Sequence, residues 1–192
     1  MGRAKGTPFE RQMCKALSKW WSKGRTDDVF WRTAGSGARA KSRSKKKKKT
    51  FGQYGDIQAT DPRGQPLIDV CSIELKRGYS TRSFADLIDK SDKATKQVYE
   101  KFISQAMADN RNASSFFWML IVKRDARKPI VLIPLTFLKE LDNIGSSIKT
   151  SIPTFFLRCR FKNKTIHKIF GTTLDNFFKY VSPKHIKKIL SG

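Results

Sequence analysis

Apolar residues at Phe9, Met13, Ala16, Leu17 and Trp20 recur at helical spacing, which predicts a helix over residues 7–21. Thr7 suits its cap and Pro8 its first position. Glu10, three residues after Thr7, completes the pattern of a capping box. Residues 29–32 are short and aromatic and read as a strand. Residues 51–59 and 67–76 read as two further strands around the turn-forming segment 60–66. Residues 83–110 carry a helical pattern with a break near Ser91, and Val98, Phe102, Ile103 and Ala106 share its apolar face. Two strongly apolar runs, 116–122 and 130–135, are joined by a polar connection suited to a hairpin. Beyond them the pattern predicts short helices at 135–141, 174–180 and 183–190 and a strand at 155–161.

Composition then narrows the partners. Of 192 residues, 40 are Lys or Arg and 16 are Asp or Glu, a formal charge of +24. Such a balance points to a polyanion, most simply nucleic acid, because cations on phosphates release condensed counterions. Hydrophobic residues make up 39 %, enough for a real core. The charge is uneven. Arg39, Lys41, Arg43 and the run Lys45, Lys46, Lys47, Lys48 and Lys49 stand together with no acidic residue, predicting a disordered basic loop at about 36–50. The last third is basic again. Three scattered cysteines, Cys14, Cys71 and Cys159, and two histidines argue against disulfide frameworks, zinc fingers and Ser-His or Cys-His catalysis. No apolar run nears the ~20 residues of a membrane span, and no signal-peptide core is present, so an intracellular setting is expected.

The chemistry concentrates in Glu10, Asp56, Glu74 and Lys76. Side chains alternate along a strand, so Glu74 and Lys76 point to one face. Asp56 lies on the preceding strand, a candidate hairpin neighbour. Two carboxylates brought together in this way suit Mg²⁺, which takes hard oxygen ligands and keeps several waters. Such an ion polarises a phosphate and activates water, while Lys76 orients that water or offsets transition-state charge. The bland alternatives are a solvated Glu74–Lys76 pair and a capping role for Glu10. Ile68, Val70 and Ile73 predict a mostly buried strand, where charges need a purpose. Gln105 reads as an exposed helical polar residue. The tryptophans read mostly as core, and the cysteines as inert small hydrophobes.

A glutamate on the first helix, an aspartate after Gly55 and Glu74-x-Lys76 on the next strand resemble the PD-(D/E)XK nuclease superfamily. Within it, Arg32-Thr33-Ala34-Gly35-Ser36-Gly37 and the helix and apolar strand after E-x-K are most similar to archaeal Holliday junction resolvases and their phage relatives. The resemblance covers roughly residues 6–135. It implies an α/β, restriction-endonuclease-like core of order α-β-β-β-α-β, with a central mixed sheet flanked by helices. On that reading residues 1–135 form the nuclease core, and 136–192 form a basic C-terminal extension packed on it. The resemblance further implies Mg²⁺, with Mn²⁺ as a substitute, bound by Glu10, Asp56, Glu74 and the Leu75 carbonyl, and Lys76 as the catalytic lysine. It makes Ser36 a contact to the scissile region. Arg32, Arg77 and the cations of the 36–50 loop are expected to grip the DNA backbone. The sequence departs from the pattern in having Gly55 where the superfamily has proline, in its long basic loop, and in its last third.

The function expected is a Mg²⁺-dependent endodeoxyribonuclease acting on Holliday junctions or other branched DNA. Two symmetric nicks suggest a C2 homodimer. Its rivals are a homing or restriction-type endonuclease with the same core and a non-catalytic nucleic-acid-binding protein. Clustered carboxylates repel phosphate unless a cation intervenes, which disfavours the pure binder.

Overall fold

The computed structural model describes residues 3–33, 54–91, 93 and 95–192. Helix α1 (Arg3–Ser22) leads into strand β1 (Phe30–Arg32), which pairs antiparallel with β2 (Ile57–Ala59) as a two-stranded ribbon. Short helix α2 (Gln65–Val70) runs directly into β3 (Cys71–Arg77). Helix α3 (Val98–Ala113) then precedes β4 (Phe117–Lys123), β5 (Ile130–Pro134) and α4 (Leu135–Asn143). The chain ends with β6 (Thr154–Arg160), β7 (Ile166–Thr173), α5 (Leu174–Tyr180) and α6 (Pro183–Ser191).

The main sheet has five strands in the order β3-β4-β5-β7-β6. β3 and β4 are parallel and the remaining pairs antiparallel, so the sheet is mixed. Alternation builds its two faces. Ile73 and Leu75 of β3, Met119 and Ile121 of β4, and Val131 and Ile133 of β5 pack on one face with Phe9, Met13 and Leu17 of α1 and with residues of α2, α4, α5 and α6. Trp118, Leu120, Val122 and Leu132 pack on the other with Tyr99, Phe102, Ile103 and Ala106 of α3. This is the expected α/β architecture, a central mixed sheet between helices. Among the described residues no helix is long and apolar enough to cross a membrane.

Several local expectations change. α1 begins at Arg3 and contains Pro8, so Thr7 is not its cap and Glu10 stands well inside the helix, beyond capping reach. The segment read as one strand, 67–76, is helix up to Val70. Asp61 caps the Pro62–Gly64 turn by accepting the Arg63 N–H at 2.8 Å, and a proline in the first helical turn starts α2. An apolar run this short has no period that separates strand from helix. The break expected near Ser91 in the 83–110 helical pattern is present, between a short turn, Phe84–Leu87, and α3, and only the first piece is shorter than expected. Residues 136–192, expected as an extension packed on the core, supply β6 and β7 to the same sheet. β7 escaped the sequence reading. Opposite Phe155 in its pairing with β6 stands Gly171, and the Phe155 ring occupies the space a side chain there would take, 2.2 Å from where a Cβ would sit. The basic loop at 36–50 lies outside the described residues.

One buried charge ties α3 to the far end of the sheet. Glu100, 1 % exposed, accepts the Lys162 N–H at 2.8 Å and a bond from Lys90 Nζ at 2.9 Å. Burial alone would raise its carboxyl, but these two donors outweigh that and hold it below its ordinary value. A folded-state value below the unfolded one gives stability that is present above the ordinary carboxylate range and is lost as pH falls through the folded value. Glu100→Ala leaves both donors without a partner, which costs about 1–3 kcal/mol. Urea melts near pH 7 should record that loss, and the gap to wild type should narrow in melts near pH 3.

Candidate active site at the outer edge of β3

β3 is an edge strand of the main sheet, and its free edge is where the chemistry gathers. The β1–β2 ribbon delivers Asp56 to it. Ser18 of α1 accepts the Phe30 N–H at 2.9 Å and so fixes the ribbon to the first helix. The Thr33 N–H donates to the Asp56 carbonyl at 3.0 Å, and the Asp56 N–H donates to the Ile73 carbonyl at 2.8 Å. The Asp56 side chain then accepts the Leu75 N–H at 2.8 Å through Oδ2. Asp56 therefore replaces a neighbouring strand at this edge. The expected hairpin between β2 and β3 is absent from the register, since β2 pairs with β1.

Gly55 permits the approach. Its φ is +75°, and a Cβ there would stand 2.8 Å from the Ile73 carbonyl oxygen. Proline, locked near φ −65°, has no access to this conformation. The departure from the superfamily pattern at this position thus follows from the local backbone.

Glu74 and Lys76 point from β3 toward α3, as alternation requires. Glu74 is 2 % exposed. Lys76 donates to its Oε1, and Gln105 Nε2 of α3 donates to the same oxygen at 2.6 Å. Burial pushes the Glu74 carboxyl up to about 8, and the nearby negative charge of Asp56 adds to the rise. Burial by itself would lower the Lys76 ammonium. The Glu74 carboxylate outweighs burial and raises it, so Lys76 is held charged.

Glu10 approaches from α1, on the opposite side of the sheet from α3. Its carboxyl is raised by burial and then by Asp56, with Arg32 pulling the other way. Arg32 Nη1 lies 3.6 Å from its Oε2. With the capping role gone, these are the interactions that define Glu10. Arg32, expected on DNA, thus faces a carboxylate of the site. The Arg77 Nε is buried with no hydrogen-bond partner among the described residues, as is Thr33 Oγ1. Ser36, Arg39, Lys41, Arg43, Lys45, Lys46, Lys47, Lys48 and Lys49 lie outside the described residues.

Gln105 is the site residue that sequence reasoning underweighted, as an exposed helical polar group. The available signal was its place one turn beyond Phe102 on the face that packs against β3. Trp31 is 41 % exposed, whereas the remaining tryptophans and the cysteines are structural. Cys14 is buried, and its thiol is pushed up to about 12, chiefly by that burial. Trp21 and Trp118 are each 7 % exposed, and Trp20 stacks on Phe178.

The donor set fits a hard divalent cation. Among the described residues no three or more His, Cys, Asp or Glu side chains form a ligand cluster. Two carboxylates suffice for Mg²⁺ when waters and substrate oxygens complete its shell. Asp56 and Glu74, both buried and close enough for the charge of Asp56 to raise Glu74, are the two carboxylates that could serve in this way. The N–H and C=O of a strand residue point to the same edge. Since the Leu75 N–H meets Asp56, the Leu75 carbonyl faces the same edge as a third oxygen.

An aspartate brought to the edge of an E-x-K strand, on a mixed sheet between helices, defines the class of PD-(D/E)XK nucleases. Residues 1–188 match the family described as "Phage putative PDDEXK endonuclease", and the chain belongs to that family. No curated protein and no solved structure matches the chain.

Proposed function

We propose that the chain is a Mg²⁺-dependent endodeoxyribonuclease of branched DNA such as Holliday junctions, with Mn²⁺ as a substitute ion. The observation that carries the proposal is the meeting of Asp56, Glu74 and Lys76 at the outer edge of β3. Asp56, Glu74 and the Leu75 carbonyl would hold the cation, with Glu10 reaching it through water. When bound, the cation neutralises charge on the phosphate and acidifies water. Lys76 keeps its proton against Glu74 and presents positive charge to the phosphate as negative charge develops there. Gln105 fixes the Glu74 carboxylate so that one oxygen stays directed at Lys76. Arg77 and the cations of residues 36–50 are proposed to hold the flanking backbone, which adds affinity without sequence information. A twofold homodimer would place two such sites on a junction for paired nicks. The family, described as a phage endonuclease, supports an intracellular setting.

The test is cleavage of a labelled four-way junction and of a linear duplex with the same arm sequence, in Mg²⁺ and in EDTA. Paired symmetric nicks confined to the junction and lost in EDTA are expected. Site-specific cutting of the linear duplex would replace this reading by the homing or restriction one. Tight binding of both substrates with no cleavage of either would remove the enzyme altogether.

A further inference from the structure

Immediately after the E-x-K strand the chain makes a turn of unusual cost. Gly78 has φ +93° and Tyr79 has φ +59°. The first is a glycine, for which this conformation is free. The second is a bulky aromatic, for which it is strained. The turn is closed by the Arg82 N–H donating to the Tyr79 carbonyl at 2.9 Å, and the Gly78 N–H is anchored on the Lys123 carbonyl at 3.0 Å. Glycine at 79 would satisfy all of this backbone. Whatever keeps tyrosine there therefore lies in the ring.

Tyr79 is 48 % exposed. It meets Phe102 edge-to-face, with centroids 4.9 Å apart and planes at 70°. That contact covers at most one face of the tyrosine. Lys76 Nζ sits over the same Phe102 ring at 5.5 Å from its centroid. Phe102 thus seats Tyr79 beside the lysine of the site, and Arg77 and Arg82 flank it in sequence. An exposed aromatic face among cations next to a phosphate-directed lysine is the arrangement by which proteins hold unpaired nucleotides. Every base offers a π-face, and cations track the backbone.

We propose that Tyr79 stacks on an unpaired base adjoining the phosphodiester that Lys76 addresses. This inference rests on the nuclease reading for the identity of that phosphate. It also deepens that reading, because a base can stack there only if it is unstacked from its own helix. The substrate class that follows is DNA whose nucleotide at the cleavage point is unpaired or readily unstacked, as at a branch point or a splayed arm. Continuous duplex offers no such base.

The experiment uses the full chain with 2-aminopurine at the branch nucleotide of a splayed-arm duplex. The same base inside a continuous duplex is the comparison, and EDTA prevents cutting. Wild type and Tyr79→Phe are expected to quench the branch fluorophore and to bind the splayed DNA alike. Tyr79→Leu, which retains apolar cover for Phe102, is expected to lose the quench and to bind splayed DNA about five- to hundredfold more weakly. Its affinity for continuous duplex and its melting temperature are expected to stay near those of wild type. Equal quenching by wild type and Tyr79→Leu would overturn the proposal, as would equal loss of affinity for both DNAs. A quench that depends on Tyr79 in a protein that cleaves nothing would sink the nuclease reading and leave the stacking site standing.

Discussion

Glu74→Gln is expected to reduce metal-dependent cleavage by at least about a hundredfold while leaving the fold intact, because charge at this position opposes folding and serves the site. Glu74 is 2 % exposed and shares the β3 edge with Asp56. Burial and that neighbour both disfavour its ionised form. Glutamine keeps the length and an oxygen for Lys76 and Gln105, and it removes the repulsion. The variant also loses the ion pair with Lys76, which opposes that gain, so in metal-free buffer it should melt near the wild-type temperature. The second half of the result separates a ligand from a structural residue. A cation that binds only the folded wild type stabilises it, by about 2.7 kcal/mol at a hundred times its dissociation constant. Mg²⁺ should raise the wild-type melting temperature and leave that of Glu74→Gln unchanged. An equal rise in both proteins would mean that Glu74 is not a ligand, whatever its effect on cleavage.

Gly55→Ala is expected to lower both stability and activity. Alanine at φ +75° is strained by about 1–2 kcal/mol. Its Cβ would also press on the Ile73 carbonyl oxygen from 2.8 Å, against backbone that has no side-chain freedom to yield. The relief is for the 55–56 segment to lift from the strand, which breaks the Asp56 N–H bond to Ile73 and displaces the carboxylate from the Leu75 N–H. Loss of such a hydrogen bond adds about 0.5–1.5 kcal/mol. A displacement of about 1 Å in a catalytic group can cost about 100-fold in rate. Denaturant melts and cleavage rates on one preparation would check both effects. Wild-type stability with wild-type activity would show that the close contact at Gly55 does not set the position of Asp56.

What the sequence made legible is local and periodic. The apolar stripe of α1 shows in its helical spacing, and β4 and β5 show as continuous apolar runs, so core residues such as Met13, Leu17 and Ile121 were evident. Elements defined by distant partners were not. α2 is too short for its period to tell it from a strand. β7 is a strand because β5 and β6 flank it and because Gly171 leaves room for the Phe155 ring. The candidate site divides the same way. Asp56, Glu74 and Lys76 follow from chain order and alternation. Gln105 acquires meaning only when α3 lies against β3, a relation between residues 31 apart. The capping alternative for Glu10 fell because that cap depended on where the helix starts, and the start lies further upstream than Pro8 suggested.

The ends of the described fold clasp each other. Trp20 of α1 donates its indole N–H to the Val181 carbonyl at 2.9 Å, across 161 positions of sequence, and α2, which runs straight into β3, packs its residues in one cluster with those of α6. The helix that carries Glu10 and the strand that carries Glu74 are thus both braced by segments more than a hundred positions further along the chain. A nascent chain halted before Val181 holds every acidic residue of the site and lacks the brace that sets them. On the proposed function, the protein would acquire its cutting edge only after Val181 has been added, a safeguard for the nucleic acid of the cell in which it is translated.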